Sequence, residues 1–483
     1  MITTKKLTKM DIRMSLFFRL IIGMLIIYLF WSCNKQEKQK PNIIIFFTDD
    51  HGTLDAGCYG ADDLHTPNID RLSNSGIRFT RAYAHTVCCP SRAALLTGRH
   101  PQRSGINTWV QGNPHATEKG LNMPLEEVTI AEVLKENGYR TGLFGKWHLG
   151  SALEYGPLEQ GFDTFYGHRG GFIDNYTHYF LHGMGFHDLW DNKKEIFERG
   201  EYFPSLMTEK AIEFMDENRN DPFFLFVSFN LPHYPEQPDS QFISINEHLN
   251  EPRRSYATVV STVDDKIGQI LDKVEELSLN ENTMIIFMSD NGHSTEETFI
   301  RFDDHLSGLP KGTNYCAHGG GGYTGKWRGA KGGFLEGGIR VPAIISYPGH
   351  FPENEIRDQT ITVMDLFPTI CELIDSELPE RIIDGHSLLP IIESNAPSKH
   401  QILYFQWRDQ WAVTEGKWKL IENGRDTTGE FSPHIQKDEK MESPYLANLE
   451  AENPEEENYA SEYPEIVERL TNLYNNWASD VFR

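Results

Sequence analysis

The sequence predicts an α/β fold with a large, mixed and mainly parallel sheet sandwiched by helices, and a smaller C-terminal α+β subdomain containing a short antiparallel sheet. Continuous apolar runs such as Asn42–Phe47 and Pro222–Phe229 have the composition of strands covered on both faces. Segments of helical length and periodicity separate these runs, as expected around a parallel sheet. After residue 395 the pattern changes to shorter strand-like runs, which indicates the second region.

Strands and helices alternate along residues 41–395, which we assign to the main domain. The predicted strands are Asn42–Phe47, Thr141–Phe144, Pro222–Phe229, Met284–Met288 and Ile339–Tyr347. The predicted helices are Pro67–Ser75, Ile130–Asn137, Tyr256–Leu277 and Val363–Ile374. No internal repeat is visible, so the fold is not a repeat array.

Residues 396–483 form the predicted C-terminal subdomain. Its short antiparallel strands are expected at Ile402–Gln406, Trp411–Thr414 and Trp418–Ile421, and its terminal helix at Pro464–Ala478. The acidic run Glu450–Glu457 lies between the strands and the helix. We interpret this run as a solvated loop.

The composition excludes several classes of protein. The 483 residues contain 45 Lys+Arg and 70 Asp+Glu, a net charge of -25, which disfavours binding to nucleic acid or to an anionic lipid surface. Hydrophobic residues make up 39%, enough for a large core and too many for a disordered chain. The six cysteines are too sparse for a disulfide scaffold, and no pair has zinc-ribbon spacing, although one incidental disulfide remains open.

Residues 1–32 are typical of an export signal. Basic residues precede the apolar run Leu20–Trp31, which is shorter than the ~20 residues that a membrane-spanning helix needs. Ser32 and Cys33 then resemble a bacterial lipoprotein processing site, which predicts that Cys33 is lipidated. An ordinary cleaved signal peptide and an uncleaved anchor are the alternatives. Each places the folded region outside the cytoplasm; the lipoprotein would be periplasmic or on the outer membrane, held only by its lipid.

Acidic pairs follow two of the predicted strands. Asp49 and Asp50 end the first strand, and Asp290 and Asn291 follow the strand Met284–Met288. Ligands collect at the carboxyl ends of strands in open α/β sheets, and adjacent carboxylates repel one another unless a cation neutralises them. Oxygen donors without sulfur or imidazole suit Ca²⁺ or Mg²⁺. Taken singly, each pair could instead cap a helix or form a turn.

Residues 88–99, Cys-Cys-Pro-Ser-Arg-Ala-Ala-Leu-Leu-Thr-Gly-Arg, form the most specific stretch of the chain. Pro90 is typical of a first helical turn and Gly98 of a helix end, which places Cys88 or Cys89 at a helix N-terminus. Such a terminus favours an anion or a developing negative charge, and Arg92 adds a cation. A buried thiol pair or a redox site would also fit these residues.

This stretch resembles the signature of the type I sulfatases of the alkaline phosphatase superfamily, Cys-x-Pro-Ser-Arg followed by Thr-Gly-Arg. The resemblance extends from about Asn42 to the C-terminus, and its members include bacterial polysaccharide sulfatases. It implies that Cys88 is oxidised to formylglycine (3-oxoalanine) by a separate maturation enzyme. One oxygen of the aldehyde hydrate would ligate the metal and attack sulfur, and the other would later expel sulfate.

The resemblance also implies the metal and the residues that bind sulfate. Calcium, rather than magnesium, would be bound by Asp49, Asp50, Cys88, Asp290 and Asn291. Gly145 to His148 matches the family's GKWH element. Lys146 is then a sulfate-binding lysine, and His148 hydrogen-bonds the formylglycine and assists sulfate release.

Further positions match the family's catalytic residues. His233 in Leu-Pro-His is a candidate proton donor to the leaving alkoxide, and Lys331 is the second lysine on sulfate and another candidate donor. Arg92 adds positive charge near the nucleophile. Glu336 and Arg340 are expected to support the site without contacting substrate, and residues 384–390 to close the main domain.

Other positions are less well matched. The serine that often contacts sulfate in the family has no clear counterpart in residues 167–171. Residues that could line sugar subsites, or could equally be ordinary loop packing, are His168, Arg169, Tyr234, Trp327 and Arg328.

The implied function is hydrolysis of sulfate esters on a sulfated carbohydrate. An exported enzyme with an acidic surface would most naturally act on an algal polysaccharide such as ulvan, carrageenan or fucoidan, or on its oligosaccharides; animal glycosaminoglycans are the other candidates. Two alternative functions remain open: a phosphonate monoester or phosphodiester hydrolase of the same superfamily, and a non-catalytic sulfoglycan-binding surface protein.

Overall fold

An 11-stranded mixed sheet forms the centre of the structure, a computed structural model that describes residues 39–114, 121–428 and 439–482. The described residues from Pro41 onward form one compact unit. Residues 1–32 and Cys33, the predicted export signal and lipidation site, lie outside the described residues. No helix in the described ranges is long and apolar enough to cross a membrane.

The strands are β1 (Asn42–Asp49), β2 (Gly76–Tyr83), β3 (Arg140–Lys146), β4 (Thr164–His168), β5 (Tyr179–Phe180), β6 (Phe186–His187), β7 (Trp190–Asp191), β8 (Lys194–Glu195), β9 (Phe223–Pro232), β10 (Thr283–Ser289), β11 (Arg340–Ser346), β12 (Glu355–Arg357), β13 (Ile361–Thr362), β14 (Ile402–Trp407), β15 (Gln410–Glu415), β16 (Trp418–Glu422), β17 (Arg425–Asp426), β18 (Glu439–Lys440) and β19 (Tyr445–Asn448).

The α-helices are α1 (Pro67–Asn74), α2 (Cys88–Thr97), α3 (Ile130–Glu136), α4 (Phe203–Asn218), α5 (Arg253–Glu276), α6 (Glu336–Ile339), α7 (Leu366–Leu373), α8 (Leu389–Ser394) and α9 (Pro464–Val481). A 3₁₀ turn, Val363–Asp365, precedes α7, so the predicted helix Val363–Ile374 begins as 3₁₀ and continues as α.

The main sheet has the order β12-β2-β11-β10-β1-β9-β3-β4-β7-β8, with β13 also paired to β2. Strands β10, β1, β9, β3 and β4 run parallel to their neighbours within this group, whereas β11 pairs antiparallel with both β10 and β2. The sheet is therefore mixed and mainly parallel, as predicted. Because β1 and β10 are parallel neighbours, their carboxyl ends meet at one edge of the sheet.

Both faces of the sheet are covered, which explains the continuous apolar runs. Ile43, Ile45 and Phe47 point into a core shared with α2, α3, α7 and α8. Ile44 and Phe46, on the opposite face of β1, point into a core shared with α1, α4 and α5. The alternation follows from the two-residue period of a strand, so every side chain of β1 is buried.

The C-terminal region contains the predicted antiparallel sheet, in the order β14-β15-β16-β19. One face packs against Phe334, Leu335 and Ile339 of the main region, and the other against α9. The interpretation of Glu450–Glu457 as a solvated loop is wrong at two positions, because Pro454 and Glu455 are buried. Glu455 is 1% exposed because its side chain is buried against Lys419. The next two residues of the loop, Glu456 and Glu457, are exposed.

Candidate active site

The acidic residues predicted from the strand ends meet in one cluster. Asp49 ends β1, and Asp290 follows β10. The backbone N–H of Asp50 donates to Oδ1 of Asp290 at 3.2 Å, and the Asn291 amide donates to Oδ1 of Asp50 at 2.6 Å. Asp50 has a φ of 65°, a left-handed turn that takes the chain sharply out of the strand. Parallel pairing of the two strands thus brings all four residues together.

Cys88 is the first residue of α2 and is 1% exposed. Its Sγ and oxygens of Asp49 and Asp290 all lie within 4.8 Å of one another. Although burial raises it, the Cys89 thiol, Lys146 and His148 together hold the pKa of the Cys88 thiol well below its usual range. The helix ends at Gly98, whose φ is 67°, as the sequence predicts.

Cys89 has a different environment. Its Sγ accepts the backbone N–H of Val110 at 3.1 Å, and burial together with the neighbouring Cys88 raises its pKa well above the usual range. Cys89 is therefore the neutral partner of the pair. All cysteines in the described ranges are free thiols: Cys58, Cys88, Cys89, Cys316 and Cys371.

A cation accompanies each of the three carboxylates. Lys146 Nζ lies 2.6 Å from Oδ2 of Asp49, and Lys331 Nζ lies 2.9 Å from Oδ2 of Asp50. The third pair joins Arg92 Nη2 to Oδ2 of Asp290 at 2.8 Å. The side chains in these pairs are at most 5% exposed.

The pKa values of the three carboxyls are raised despite these cationic partners. Burial, opposed by Lys146 and reinforced by Asp50, raises the pKa of Asp49 to about 6. Burial and the neighbouring acidic groups raise the pKa of Asp50 and of Asp290 to about 7 each. Hence burial, together with repulsion between the carboxyls, raises their pKa values more than the three cations lower them.

The donor set fits a hard divalent cation. Oδ1 of Asp49 and Oδ1 of Asn291 are buried without a hydrogen-bond partner. A buried acceptor without a partner is costly unless a ligand satisfies it. A cation bound between these oxygens would satisfy both atoms and relieve the carboxylate repulsion.

The two candidate histidines lie at the same edge of the sheet. His148 follows β3 with a φ of 58°, and its Nε2 accepts the Gln111 amide at 3.1 Å. Burial lowers the pKa of His148 to about 4, although Cys88 opposes this shift. Nδ1 of His233 donates to the carbonyl of Tyr234 at 2.5 Å, which leaves Nε2 3.8 Å from Oδ2 of Asp50. Burial, with Lys331 and Lys146, lowers the pKa of His233 well below its usual range.

Comparisons with known proteins show the family of the chain. The sequence model of the Sulfatase family matches residues 41–376. The chain belongs to the sulfatase family. A second model, N-sulphoglucosamine sulphohydrolase, C-terminal, matches residues 330–445 of this sulfatase. The protein is thus a sulfuric ester hydrolase.

Curated relatives cover most of this sulfatase. Arylsulfatase D from Homo sapiens is 33% identical over 441 residues, 76% of this chain and 70% of that protein. N-acetylgalactosamine-6-sulfatase from Rattus norvegicus is 33% identical over 402 residues, 79% of this chain and 71% of that protein. These activities are those of the relatives named.

Solved structures have the same fold. Ps i-CgsB in complex with k-i-k-neocarrahexaose has a TM-score of 0.75 at 27% identity, covering 92% of this chain and 94% of that one. A Bacteroides thetaiotaomicron sulfatase structure, titled for metabolism of multiple glycosaminoglycans, has a TM-score of 0.71 at 26% identity, covering 92% and 100%. The phosphonate monoester hydrolase of Agrobacterium radiobacter, at 17% identity and a TM-score of 0.62 over 91% and 95%, shares the fold.

Three residues of the sulfatase site have no counterpart among the sequence predictions. The Ser228 hydroxyl accepts from Arg92 Nη1 at 2.5 Å and donates to the Lys146 carbonyl at 2.6 Å. A serine in the apolar run of β9 is the signal that could have identified it. Gln111 and Glu296, which lies 3.7 Å from Lys331 Nζ, are in loops without a recognisable pattern.

The suggested sugar-subsite residues are largely occupied by internal contacts. His168 and Arg169 are at most 1% exposed, and the Arg169 guanidinium lies over the ring of Trp190. Their burial favours ordinary packing, the other alternative for these two residues. Trp327 lies under Arg340 at 4.4 Å, and Arg328 pairs with Asp426. Tyr234 is 5% exposed, with its hydroxyl 3.3 Å from Nε2 of His182.

The residues expected to support the site make buried contacts outside the carboxylate pairs. Glu336 is buried between Arg340, at 3.1 Å, and Lys419, at 2.5 Å, and does not reach the carboxylate cluster. The backbone N–H groups of Asp384 and Gly385 donate to the carbonyl of Gly98, which holds the 384–390 segment against the end of α2.

Proposed function

We propose that this sulfatase removes sulfate from a sulfated carbohydrate with a formylglycine made from Cys88 and a bound calcium ion. The observation that carries the proposal is the position of Cys88. It is buried at the N-terminus of α2, within 4.8 Å of oxygens of Asp49 and Asp290. Against the effect of burial, the Cys89 thiol, Lys146 and His148 lower the pKa of the Cys88 thiol, so position 88 favours the negative charge of a reacting anion.

The formylglycine would supply a hydrated aldehyde, whose one oxygen attacks sulfur and whose other oxygen later expels sulfate. A maturation enzyme would have to convert the cysteine before the final fold closes, because Cys88 is almost fully buried. Cys89, neutral and bonded to the Val110 amide, would remain a thiol.

Calcium would be held by Asp49, Asp50, Asp290 and Asn291 together with residue 88. The unpartnered oxygens of Asp49 and Asn291 and the oxygen-rich donor set support this assignment over a softer metal. When bound, the ion would supply positive charge beside the sulfate and the nucleophile. Calcium is preferred to magnesium because this crowded anionic set offers more protein oxygens than magnesium usually takes.

The cationic side chains would bind the sulfate ester and stabilise its charge. Lys146 and Lys331 reach the cluster from β3 and from the loop before α6, so their ammonium groups approach it from two elements. Arg92, fixed by Ser228 and Asp290, would add a third positive charge. Such preorganised charge acts on the transition state without reorganising during the reaction.

The histidines would move protons. His148, close to Cys88, would take the proton from the second hydroxyl of the hydrated residue when sulfate departs. His233 or Lys331 would protonate the leaving alkoxide. Both face Asp50, with the Nε2 of His233 at 3.8 Å and the Nζ of Lys331 at 2.9 Å.

For the substrate, we favour an algal polysaccharide such as ulvan or carrageenan, or its oligosaccharides. The similarity to the structure titled with k-i-k-neocarrahexaose supports a sulfated algal sugar, and the excess of acidic residues suits a salty medium. The glycosaminoglycan title of a similar structure supports animal glycosaminoglycans as the competing class. We also propose export, by residues 1–32, and lipidation at Cys33 as the only membrane attachment.

Mass spectrometry of the peptide containing Cys88 tests the proposal directly. We expect formylglycine at position 88 and thiol at position 89 after co-expression with a maturation enzyme. Cys88→Ala should abolish hydrolysis of aryl sulfates and sulfated oligosaccharides, whereas the matched Cys89→Ala should retain it. An unmodified Cys88 in an active enzyme would refute the mechanism.

The same preparations distinguish the alternative functions. A phosphonate monoester or phosphodiester hydrolase would cleave aryl phosphate diesters faster than aryl sulfates, and a sulfatase the reverse. A non-catalytic sulfoglycan-binding protein would bind the sulfated oligosaccharide with Cys88 unmodified and would release no sulfate.

A further inference from the structure

The segment Arg328–Glu336 carries Lys331 into the site and has no regular secondary structure before Glu336. Within the segment, the Lys331 backbone N–H donates to the carbonyl of His293 at 2.9 Å, and its Nζ donates to Asp50. A segment without a helix or strand is held only by such individual contacts. Its position therefore depends on the residues that surround it.

Glu455, from the acidic C-terminal loop, joins the two ends of this segment. Its Oε1 and Oε2 accept the Glu336 backbone N–H at 2.9 and 3.0 Å. At the other end, Oε2 accepts the backbone N–H of Arg328 at 3.4 Å, and the Arg328 guanidinium donates to the Glu455 carbonyl. The Glu455 carboxylate thus joins the two ends of the segment that contains Lys331, beside the main-chain hydrogen bond from the Gly337 N–H to the Arg328 carbonyl at 2.7 Å.

Lys419 from β16 holds Glu455 in this position. Its Nζ lies 2.9 Å from Oε1 of Glu455 and 2.5 Å from Oε1 of Glu336, and it donates to the Phe334 carbonyl at 3.1 Å. All three charged side chains are fully buried. Buried charges keep their geometry because any displacement leaves a charge without its partner.

Thr427 and Thr428 hold the residues immediately before Lys331. The Thr427 hydroxyl accepts the Ala330 N–H at 2.8 Å and donates to the Ala330 carbonyl at 2.9 Å. The Thr428 hydroxyl accepts the Gly329 N–H at 2.9 Å. These contacts and those of Glu455 come from separate parts of the C-terminal region, yet both fix the same segment.

We propose that Glu455 and Thr427 are positioning residues for the sulfatase reaction, which place the Lys331 ammonium at the sulfate. The inference rests on the role given to Lys331 in the proposed function. Neither residue reaches the carboxylate cluster itself. They act through the main chain of Arg328–Glu336, so the C-terminal subdomain is part of what sets the active-site geometry.

The test compares Thr427→Val, which keeps the side-chain shape but removes both hydrogen bonds, with Glu455→Gln, in the formylglycine-containing enzyme. We expect each to lower kcat/KM for an aryl sulfate by roughly tenfold or more, since small misplacements of a charged group are costly. Thr427→Ser, which keeps the hydroxyl, should restore activity. Glu456→Gln is the control for Glu455, because Glu456 is exposed in the same loop.

A double-mutant cycle with Lys331→Met shows whether the effect passes through Lys331. If it does, Thr427→Val has little further effect in the Lys331→Met background. An equal loss in both backgrounds, or a lower Tm with unchanged kcat/KM, would overturn the inference. The Thr427→Val variant keeps this test valid if Glu455→Gln does not fold.

Hydrogen exchange separates this inference from the proposed function. If Lys331→Met leaves kcat/KM unchanged, the role proposed for Lys331 is wrong. Exchange of the amides of residues 328–336 then tests the contacts alone. Faster exchange in Thr427→Val, with unchanged exchange in β1 and β10, supports the positioning role, and unchanged exchange throughout contradicts it.

Discussion

At the scale of single residues, the site is a balance of opposite charges on buried side chains. Asp49, Asp50 and Asp290 face Lys146, Lys331 and Arg92, one cation for each carboxylate. With the three carboxyls ionised and no metal ion bound, this group is close to neutral and has little attraction for an anionic ester. A divalent cation would give it the net positive charge that sulfate binding needs.

Calcium and protons should therefore compete for the same oxygens. The pKa values of Asp49, Asp50 and Asp290 are raised to about 6, about 7 and about 7, above the ~3.9 of an unfolded aspartate. Between those values the folded state binds more protons than the unfolded state, so without metal these carboxyls lower the free energy of unfolding as pH rises. Bound calcium removes that loss by replacing the protons.

The increase in Tm on adding calcium should consequently grow from about pH 5 to about pH 8, as the carboxyls ionise. Scanning calorimetry with and without CaCl₂ at each pH measures this difference, in which contributions from distant histidines cancel. Magnesium should give a smaller increase, and Asp290→Asn should lose most of the calcium effect. A calcium effect independent of pH would contradict the assignment of these ligands.

His233 and Lys331 differ as proton donors. Asp50 and Glu296 raise the pKa of Lys331 well above its usual range against the opposing effect of burial, so its ammonium gives up a proton reluctantly. Burial, with Lys331 and Lys146, holds the pKa of His233 well below its usual range, but its Nε2 is free of the Tyr234 contact, and a bound anionic ester would raise that pKa towards the working pH. A general acid works best when its pKa lies near the working pH. We therefore expect His233 to be the donor once the anionic ester is bound.

Removing a general acid should matter most for poor leaving groups. His233→Asn should lower kcat/KM about 10²-fold or more for a sugar sulfate, and by less than about tenfold for 4-nitrophenyl sulfate, whose leaving group needs no proton. Steady-state kinetics on both esters checks this, with Lys331→Met as the comparison. Equal losses on the two substrates would contradict a donor role for His233.

At the scale of elements, the buried strands and the helix α2 were predictable from the sequence alone. β1, β9 and β10 are continuous apolar runs because both faces of the sheet are covered, and the aspartates at the ends of β1 and β10 indicated the candidate site. Pro90 indicates the first turn of α2 and Gly98 its end, because their backbone preferences suit those positions. The roles of Lys146, His148, His233 and Lys331 came instead from family resemblance, since no local pattern distinguishes them from structural residues.

Other elements were missed for identifiable reasons. α4 has no prediction, although its buried positions Phe203, Met207, Ala211 and Phe214 follow helical spacing and could have indicated it. The two-residue strands β5 to β8 are too short for any periodicity. Glu455 was predicted to be exposed because the sequence does not show that Lys419, 36 residues away, pairs with its buried carboxylate.

Gly145 in β3 is an element-scale constraint on Lys146. Its φ is +119°, and a Cβ there would lie 1.9 Å from the Ser228 carbonyl oxygen of β9. Gly145→Ala should force β3 and β9 apart, destabilise the fold by about 1–3 kcal/mol or more, and displace the neighbouring lysine.

The matched control is Gly138→Ala. Its φ is +84°, also in the left-handed region, but a Cβ there would meet nothing within 4 Å. Thermal unfolding and kcat/KM are measured for both variants. Backbone strain should affect both variants, whereas collision with β9 should affect only Gly145→Ala. Equal Tm values for Gly145→Ala and Gly138→Ala would show that the collision has no effect.

At the scale of the whole molecule, the net charge of -25 opposes an anionic substrate, whereas the buried site with a divalent cation bound would attract it. The two effects differ in range. The site charges act over a few ångströms in a water-poor environment, and the surface charges act over the Debye length, ~10 Å at 0.1 M salt and ~3 Å at 1 M. Salt should therefore weaken the repulsion from the surface much more than the attraction in the site.

This difference predicts how activity depends on salt. For a sulfated polysaccharide, KM should hold or fall as NaCl is raised from low concentration, because screening removes the repulsion between two polyanions. For 4-nitrophenyl sulfate, a single charge, KM should change less over the same range. Initial rates with both substrates, at fixed calcium, give the comparison. A steep rise in KM for the polysaccharide would mean that a positive surface, rather than the buried cluster, captures the substrate.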